Sequence, residues 1–502
     1  MHIYGTETEF GITTRDGQVA DPVVESLFLV NHYPLLPSAP VVWNYEEESP
    51  LLDSRGFEVE GVPESPGSDY NRLLNKPLHN GGRLYVDGAH PEYSTPECSS
   101  PREVVIHEKA GEQIMLDCLR AVLRARPDRG VIVYKNNTDG KGNSYGYHEN
   151  YLFPREFPFD QLTAALIPFF VTRQIFAGAG KVGAENGTDP AVFQISQRAD
   201  FFETIVGLNT MNKRSIMNTR DEPHADSKKY RRIHVIVGDA NMSETSIYVK
   251  IGIAGVVLDM IAAGISFASL ELADPLGAMK SISRDLSVTA PVRLASGKVS
   301  SAIEIQRTYL KKAQDFIASD GTDEQRTDVL RRWDNILNEL ERDPMTLVTE
   351  LDWVAKYAMM TSYMGRKGCG WDDPRIRMMD FQYHDIRPEK GLYFALLRQN
   401  RISRLVSDEE IVRAEMDAPA GTRAYFRSAC LKKYPKEVYA TSWSSILFAT
   451  ESDILTKLSL LEPTQGTEQL TKKMLDASDS VPMLLAKLAD SSRNVRDVSH
   501  AT

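Results

Sequence analysis

Apolar and polar positions begin to alternate at the third residue. In "IYGTETEFGI" (3–12), Tyr4, Thr6, Thr8 and Phe10 share one face of a strand, and Ile3, Gly5, Glu7 and Glu9 the other. The same period returns in "RLYVD" (83–87), where Leu84 and Val86 oppose Arg83, Tyr85 and Asp87. Between the two runs lies a long connection that is mostly irregular, with helical stretches expected only at 26–31 and 68–75. Its middle, "WNYEEESPLLDSRGFEVEGVPESPGSD" (43–69), is rich in Glu, Asp, Pro, Gly and Ser. Insertions of that length inside a compact domain are lids or disordered segments. Helix is predicted over 101–126, a strand at "GVIVYKN", a polar Gly/Asn turn over 136–153, and a helix over 159–178. A strand at "YRRIHVIVGDANM" (230–242) and helices over 247–270 and 301–342 follow. This irregular order, without repeated βαβ units, predicts an α+β fold with a mainly antiparallel sheet that can keep one face polar. A break near "DAPAGTR" (417–423) predicts a large domain over 1–420 and a small C-terminal domain over 421–502, with a frayed tail.

Composition narrows the function classes. A 502-residue chain with 42% hydrophobic and 25% charged residues has material for a sizeable core. A formal charge of −11 speaks against a general nucleic-acid binder. Cys98, Cys118, Cys369 and Cys430 are scattered, which excludes a cysteine zinc site and fits a reducing cytoplasm. The apolar run Ile251–Glu271 is interrupted at Asp259, leaving charge-free runs of 8 and 11 residues. Both fall short of the ~18 that a membrane span needs, so a buried helix and no membrane partner are expected.

The acids, histidines and arginines concentrate in a few segments. Glu7 and Glu9 stand at i and i+2 on one strand face, and like charges so placed on a central strand are unfavourable unless cations hold them. "GGRLYVDGAHPEYSTPE" (81–97) puts Arg83, Tyr85 and Asp87 on one face and adds His90, Glu92 and Glu97 in the exit loop. "NSYGYHENYL" contributes His148 and Glu149, and "YRRIHVIVGDAN" contributes Arg232 and His234. Each histidine alone reads as a structural group, but four such segments in one chain read as a catalytic floor on an antiparallel sheet. Arg198 in "QRAD" and Arg220 in "NTRDEPHAD" suit phosphate or carboxylate recognition; the alternative is a loop salt bridge. "GAGKVG" (178–183) matches a dinucleotide fingerprint by spacing but follows a helical pattern. It also fails as a phosphate loop, with Val182 where Ser or Thr belongs and Ile175 at the first glycine, and reads as a helix terminus and turn.

Together these segments resemble the Pup ligase/depupylase family, relatives of glutamine synthetase. The motifs that carry the resemblance are "GTETEFG", "RLYVDGAHPEYSTPE", "KNNTDGKGNSYGYHENYL", "QISQRADFFE", "NTRDEPHAD", "YRRIHVIVGDANM" and "YHDIRPEKGL", in family order over most of the first 400 or so residues. The acidic insertion (about 37–69), the short spacing in "YVDGAHPEY" and "SWSSILF" around Trp443 look like the depupylase branch, whereas Thr8 in "GTETEFG" sits between the branches. The resemblance implies a glutamine-synthetase-like large domain with a curved antiparallel sheet, and a small C-terminal domain contributing to the nucleotide site. It implies Glu7, Tyr85 and Glu92 around one Mg²⁺, with Glu9, His148 and His234 around a second metal and the phosphates. It also implies Arg83, Thr95 and Trp443 on ATP, Arg198 and Arg220 on the γ-phosphate or the phosphate derived from it, and Asp87 as the catalytic aspartate. The implied activity is ATP-dependent hydrolysis of an amide at the γ-carbon of Pup's C-terminal residue, either a glutamine carboxamide or the isopeptide bond to a lysine. Pup and pupylated proteins of a proteasomal degradation pathway would be the partners. A Pup ligase, a small-molecule γ-glutamyl ligase and a non-catalytic binding module are the alternatives. His90 and Glu97 carry no role in this reading.

Overall fold

The computed structural model describes residues 2–14, 21–61, 66–321, 323–451, 454–489 and 495–499. Residues 62–65 of the insertion and, within the tail expected to fray, 490–494 and 500–502 lie outside the described residues, while Val495–Ser499 is a strand. The central sheet has six strands: β1 (Tyr4–Glu9), β2 (Asn75–Pro77), β3 (Arg83–Asp87), β4 (His90–Ser94), β5 (Tyr147–Pro154) and β6 (Tyr230–Val235). They run in the order β6-β5-β1-β4-β3-β2, and every pairing is antiparallel. The α+β, mainly antiparallel expectation holds.

The strand expected over 230–242 ends at Val235, the helices expected over 247–270 and 301–342 are Glu244–Ala262, Ala302–Asp320 and Glu324–Arg342, and His90 and Glu92 lie on strand β4 rather than in a loop. Three further differences bear on the site. The strand expected over 3–12 ends at Glu9, and Gly11–Thr14 pairs instead with Val131–Tyr134. Tyr145 crosses there, and a Cβ on Gly11 would meet its hydroxyl at 2.1 Å. The turn expected over 136–153 is half strand, because β5 inserts between β1 and β6. Its alternation was hidden because Glu149, on the apolar face, is buried by a paired arginine. The helix expected over 159–178 breaks at that arginine, Arg173, into Phe159–Thr172 and Gln174–Ala177.

Beneath the sheet lie the helices Pro101–Ala125 and Glu244–Ala262. The first starts where Ser100 accepts a hydrogen bond from Glu103 N and Pro101 takes the first turn. Among the described residues, Glu244–Ala262 is the one helix long and apolar enough to cross a membrane, and 89% of that stretch is buried inside the protein. Thr6, Thr8, Tyr93, Tyr147 and Tyr151 face this layer, so the opposite parity faces outward.

A C-terminal lobe is built on Val438–Thr441, Ser445–Glu451, Ile454–Ser459 and Val495–Ser499, with Phe426, Cys430, Phe448 and Leu484 in its core. The insertion joins it: Val42–Trp43 runs parallel to Val438–Thr441 as a fifth strand. Glu97, at the exit of β4, reaches into this lobe. Its carboxylate accepts from Arg423 Nε at 2.8 Å and Arg427 Nη2 at 2.5 Å. Burial alone would raise the Glu97 pKa, but the two guanidinium charges hold it down at about 2.

Because that value lies below the ordinary one, the stabilisation is complete above about pH 4.5 and is lost as pH falls toward 2. Glu97→Gln should strand two buried guanidiniums, costing roughly 3–5 kcal/mol at pH 7. A lowered thermal midpoint and faster proteolysis near 417–423 would show it. An unchanged midpoint would remove the clamp from this account.

Candidate active site

Strand register assembles the outward face. Glu7 stands opposite His148 on β5 and Ser94 on β4; Glu9 stands opposite Glu92; Glu92 stands opposite Tyr85; and His234 stands opposite Asn150. Residues separated by tens to hundreds of positions are therefore neighbours by backbone pairing alone.

Two groups of candidate ligands result. Oxygen and nitrogen atoms of Glu7, His148 and His234 lie within 4.8 Å of one another, as do oxygens of Glu9, Asp87 and Glu92. This grouping differs from the one the resemblance implies, which joined Glu7 to Glu92 and Glu9 to the histidines. Glu7 Oε2 lies 3.0 Å from His148 Nδ1, and Asn150 Nδ2 donates to Glu7 Oε1 at 3.0 Å. Burial opposes its charge, yet the His148 hydrogen bond and the His234 imidazole, whose Nε2 lies 3.7 Å away, hold the Glu7 carboxyl well below the usual range. Burial pushes the His234 imidazole well down, keeping it neutral, and its Nε2 has no hydrogen-bond partner. In the second group, burial and then the charges of Asp87 and Glu9 push Glu92 well up, and its Oε2 is also unpartnered. Burial and then the charge of Glu9 raise Asp87, against the pull of His148 and Arg220. Asp87 is an exposed residue, so the charge of Glu9 is the firmer cause. The Tyr85 hydroxyl stays protonated, raised well above its usual range by burial and by Glu92.

The arginines surround these acids. The Arg83 guanidinium sits 4.1 Å from the Trp43 ring centroid and 4.0 Å from that of Tyr85, and donates to Asn75 and Tyr45. Arg198 is fully buried, donates to Ile236 O, and keeps an unpartnered Nε. Arg220 keeps an unpartnered Nε as well. The insertion lies against the Arg220 segment: Ser54 N donates to Thr219 O at 2.7 Å, and Asp221 N donates to Leu52 O at 2.8 Å.

Thr95 and Trp443 stand somewhat apart. They line a pocket between the central sheet and the C-terminal lobe, with Gly5, Asn150, His224 and Arg423. Thr95 Oγ1 accepts from Thr6 N at 3.0 Å, and the Trp443 and Trp43 rings meet edge to face at 5.2 Å. The twelve expected residues thus fall on the sheet face, its arginine rim and this pocket. Asn150, Arg232 and Trp43 also belong here. The parity of His148 pointed to Asn150, but no local pattern marked Trp43. Arg232, noted earlier only for sharing a face with His234, pairs with Glu222 at 3.0 Å and lies 3.5 Å from Glu7. His90 has a local role: its ring packs on Tyr145 at 4.5 Å and its Nδ1 lies 3.1 Å from Phe10 O.

Buried charges brace the floor from below. Lys135 Nζ donates to Glu108 at 2.6 Å and Glu112 at 2.7 Å, and Arg173 grips Glu149 with two bonds. Tyr147 and Thr6 both donate to Glu108.

Such a face, with clustered carboxylates, two histidines, an arginine rim and an adjoining pocket, suits an enzyme that handles an anionic phosphate beside a polar bond to be cut. Residues 2–447 match the Pup-ligase protein family, and the chain belongs to it. The Pup deamidase/depupylase of Mycolicibacterium smegmatis is 43% identical over 497 residues, spanning 98% of this chain and all of the relative. A Pup–protein ligase of Arthrobacter sp. is also 43% identical, over 72% of this chain and 81% of its own length. The fold matches the ligase PafA in its complex with Pup, with a TM-score of 0.78 and 32% identity over 98% of this chain and 94% of that one. PafA in complex with ADP matches with a TM-score of 0.73 and 34% identity over 84% and 95%.

Lys135→Met should leave Glu108 and Glu112 facing each other without their shared cation, at a cost of about 3–5 kcal/mol. Urea unfolding at pH 7 measures it. A loss below about 1 kcal/mol would show that the floor does not depend on this pair.

Proposed function

We propose that this protein is a nucleotide-dependent Pup deamidase/depupylase. It hydrolyses the side-chain amide of Pup's C-terminal glutamine and the isopeptide bond that joins Pup to a lysine of a pupylated protein. The observation that carries the reading is the full-length likeness to a Pup deamidase/depupylase, which spans the insertion and the C-terminal lobe as well as the sheet. The nucleotide is read as ATP, used as a cofactor, with adenosine in the pocket of Thr95 and Trp443 and Arg83 beside it. Arg198 and Arg220, each with an unpartnered Nε, would take the terminal phosphate or the phosphate released from it.

The donor set fits Mg²⁺. Three carboxylates share a few ångströms and two candidate ligand atoms, Glu92 Oε2 and His234 Nε2, are buried without a partner. Glu7, Glu9, Tyr85, Glu92, His148 and His234 would hold up to two ions, which supply Lewis acidity toward phosphate and amide oxygens when bound. The chain's own groups do the rest. The arginine rim orients the phosphate and offsets charge developing on the amide oxygen. Asp87, at the mouth and raised by Glu9, is the carboxylate that meets the amide, as nucleophile or as base toward phosphate or water. A division near residue 420 and a cytoplasmic location, in keeping with four unpaired cysteines, belong to the same reading.

Purified protein incubated with a Pup–substrate conjugate should release free Pup with ATP present and not without it. Conjugate that accumulates from Pup ending in glutamate, with no cleavage, would establish the ligase instead. Asp87→Asn should lower cleavage by about 10²–10⁴-fold or more while nucleotide binding persists. Glu9→Ala should abolish nucleotide-dependent cleavage in a folded protein. A Glu9→Ala enzyme that cleaves at the normal rate would remove Glu9 from the metal set.

A further inference from the structure

Two neighbouring polar groups have no part in the reaction as read. Arg214 opens the strand Arg214–Asn218, and its Nη2 donates to Ser144 O at 2.7 Å. Its Nε is buried without a partner, and so is the hydroxyl of Ser144, the residue it holds. The Ser144 loop is pinned by a backbone bridge between Thr138 and Ser144 and by Thr138 Oγ1 donating to Glu185. Buried donors are ordinarily paired, so two of them together mark a place for an acceptor. Ser144 lies two residues before Gly146, whose carbonyl accepts from Glu9 N at 3.1 Å, which places the pair beside the acid cluster, and Arg214 feels the charge of Glu9. Neither Arg214 nor Ser144 lines the Trp443 pocket.

The substrate chemistry supplies that acceptor. An amide at the γ-carbon of a C-terminal residue has a free α-carboxylate only two methylenes and one Cα away. With the amide at Asp87, that second anion must lie within a few ångströms of Glu9, Asp87 and Glu92. Like charges so close are unfavourable unless a cation takes one of them. An arginine fork with an adjacent hydroxyl matches a carboxylate in shape and charge. We propose that Arg214 and Ser144 form a carboxylate subsite that reads the free α-carboxylate of the residue whose side-chain amide is cut. The subsite rests on the deamidase reading above and adds to it a reason why only a C-terminal glutamine serves: an internal one has no α-carboxylate.

The test uses the full chain with ATP and two Pup substrates ending in glutamine, one with a free α-carboxylate and one with an α-carboxamide. The wild type should prefer the free acid by about 10²-fold in kcat/KM, since a site built for a polar group rejects the analogue lacking it. Arg214→Met should bring the ratio within about threefold, and Ser144→Ala should lower it several-fold. Should Arg214→Met lose its fold, Arg214→Lys decides, with a ratio at least about tenfold smaller than wild type. A folded Arg214→Met protein with the wild-type ratio overturns the subsite. So does a defect confined to the KM for ATP, which would put Arg214 on phosphate. Wild-type protein that turns over neither substrate refutes the deamidase reading itself, and the subsite with it.

Discussion

Glu9 stands directly opposite Glu92 on adjacent strands, and the backbone register leaves neither side chain another place to go. Carboxylates facing each other across a sheet are unfavourable, and Asp87 brings a third into the same few ångströms. The surrounding groups respond to this charge. Glu92 is driven toward its protonated form, Tyr85 keeps its proton, and the positive charges of Arg198 and Arg220 stand at the rim. The neighbouring group resolves its charge differently: two histidines and Asn150 hold Glu7 ionised. One sheet face thus carries a carboxylate satisfied by hydrogen bonds next to carboxylates that are not.

Such a concentration of charge needs a rigid base. The underside of the sheet is not an ordinary apolar face, since Lys135 with Glu108 and Glu112, and Arg173 with Glu149, are buried there as two ion-paired groups. Buried ion pairs are weak contributors to stability but exact a heavy cost when broken, so they hold geometry more than they add free energy. Tyr147 and Thr6 connect this layer to β5 and β1 by donating to Glu108. The positions of His148 and Glu7, one residue along, follow from those bonds.

The sheet face was legible in the sequence because period-two alternation is local: Glu7 with Glu9, and Arg83 with Tyr85 and Asp87, can be read from single segments. Register is not local, so neither the facing of Glu9 and Glu92 nor the partition of ligands into two groups could be read that way. β5 was missed for a related reason. Glu149 occupies an apolar position and is made tolerable by Arg173, a residue on another element. Glu97 drew attention by its company in the exit loop, yet its partners Arg423 and Arg427 are more than three hundred residues away. Family resemblance supplied the candidate roles that alternation could not.

The insertion shows most clearly what the sequence withheld. Its composition reads as a loose loop, but its two ends bind different bodies. Val42–Trp43 completes the sheet of the C-terminal lobe, while Leu52 and Ser54 bond to the segment that carries Arg220. Between them Trp43 lies on Arg83, Ser49 N donates to Glu222 at 2.7 Å, and Lys457 of the lobe pairs with Glu46 and Glu47. Displacing this segment would uncover the Arg83 face, loosen the neighbours of Arg220 and remove the edge of Trp43 from Trp443. Glu46, Glu47, Glu48 and Asp53 are therefore not a solvated surplus. Glu222 also binds Arg232, which reaches Glu7, so the insertion is connected to the metal-ligand candidates through one carboxylate and one guanidinium. A change in the position of the insertion would reach the acids through these two contacts, with no need for the sheet to move.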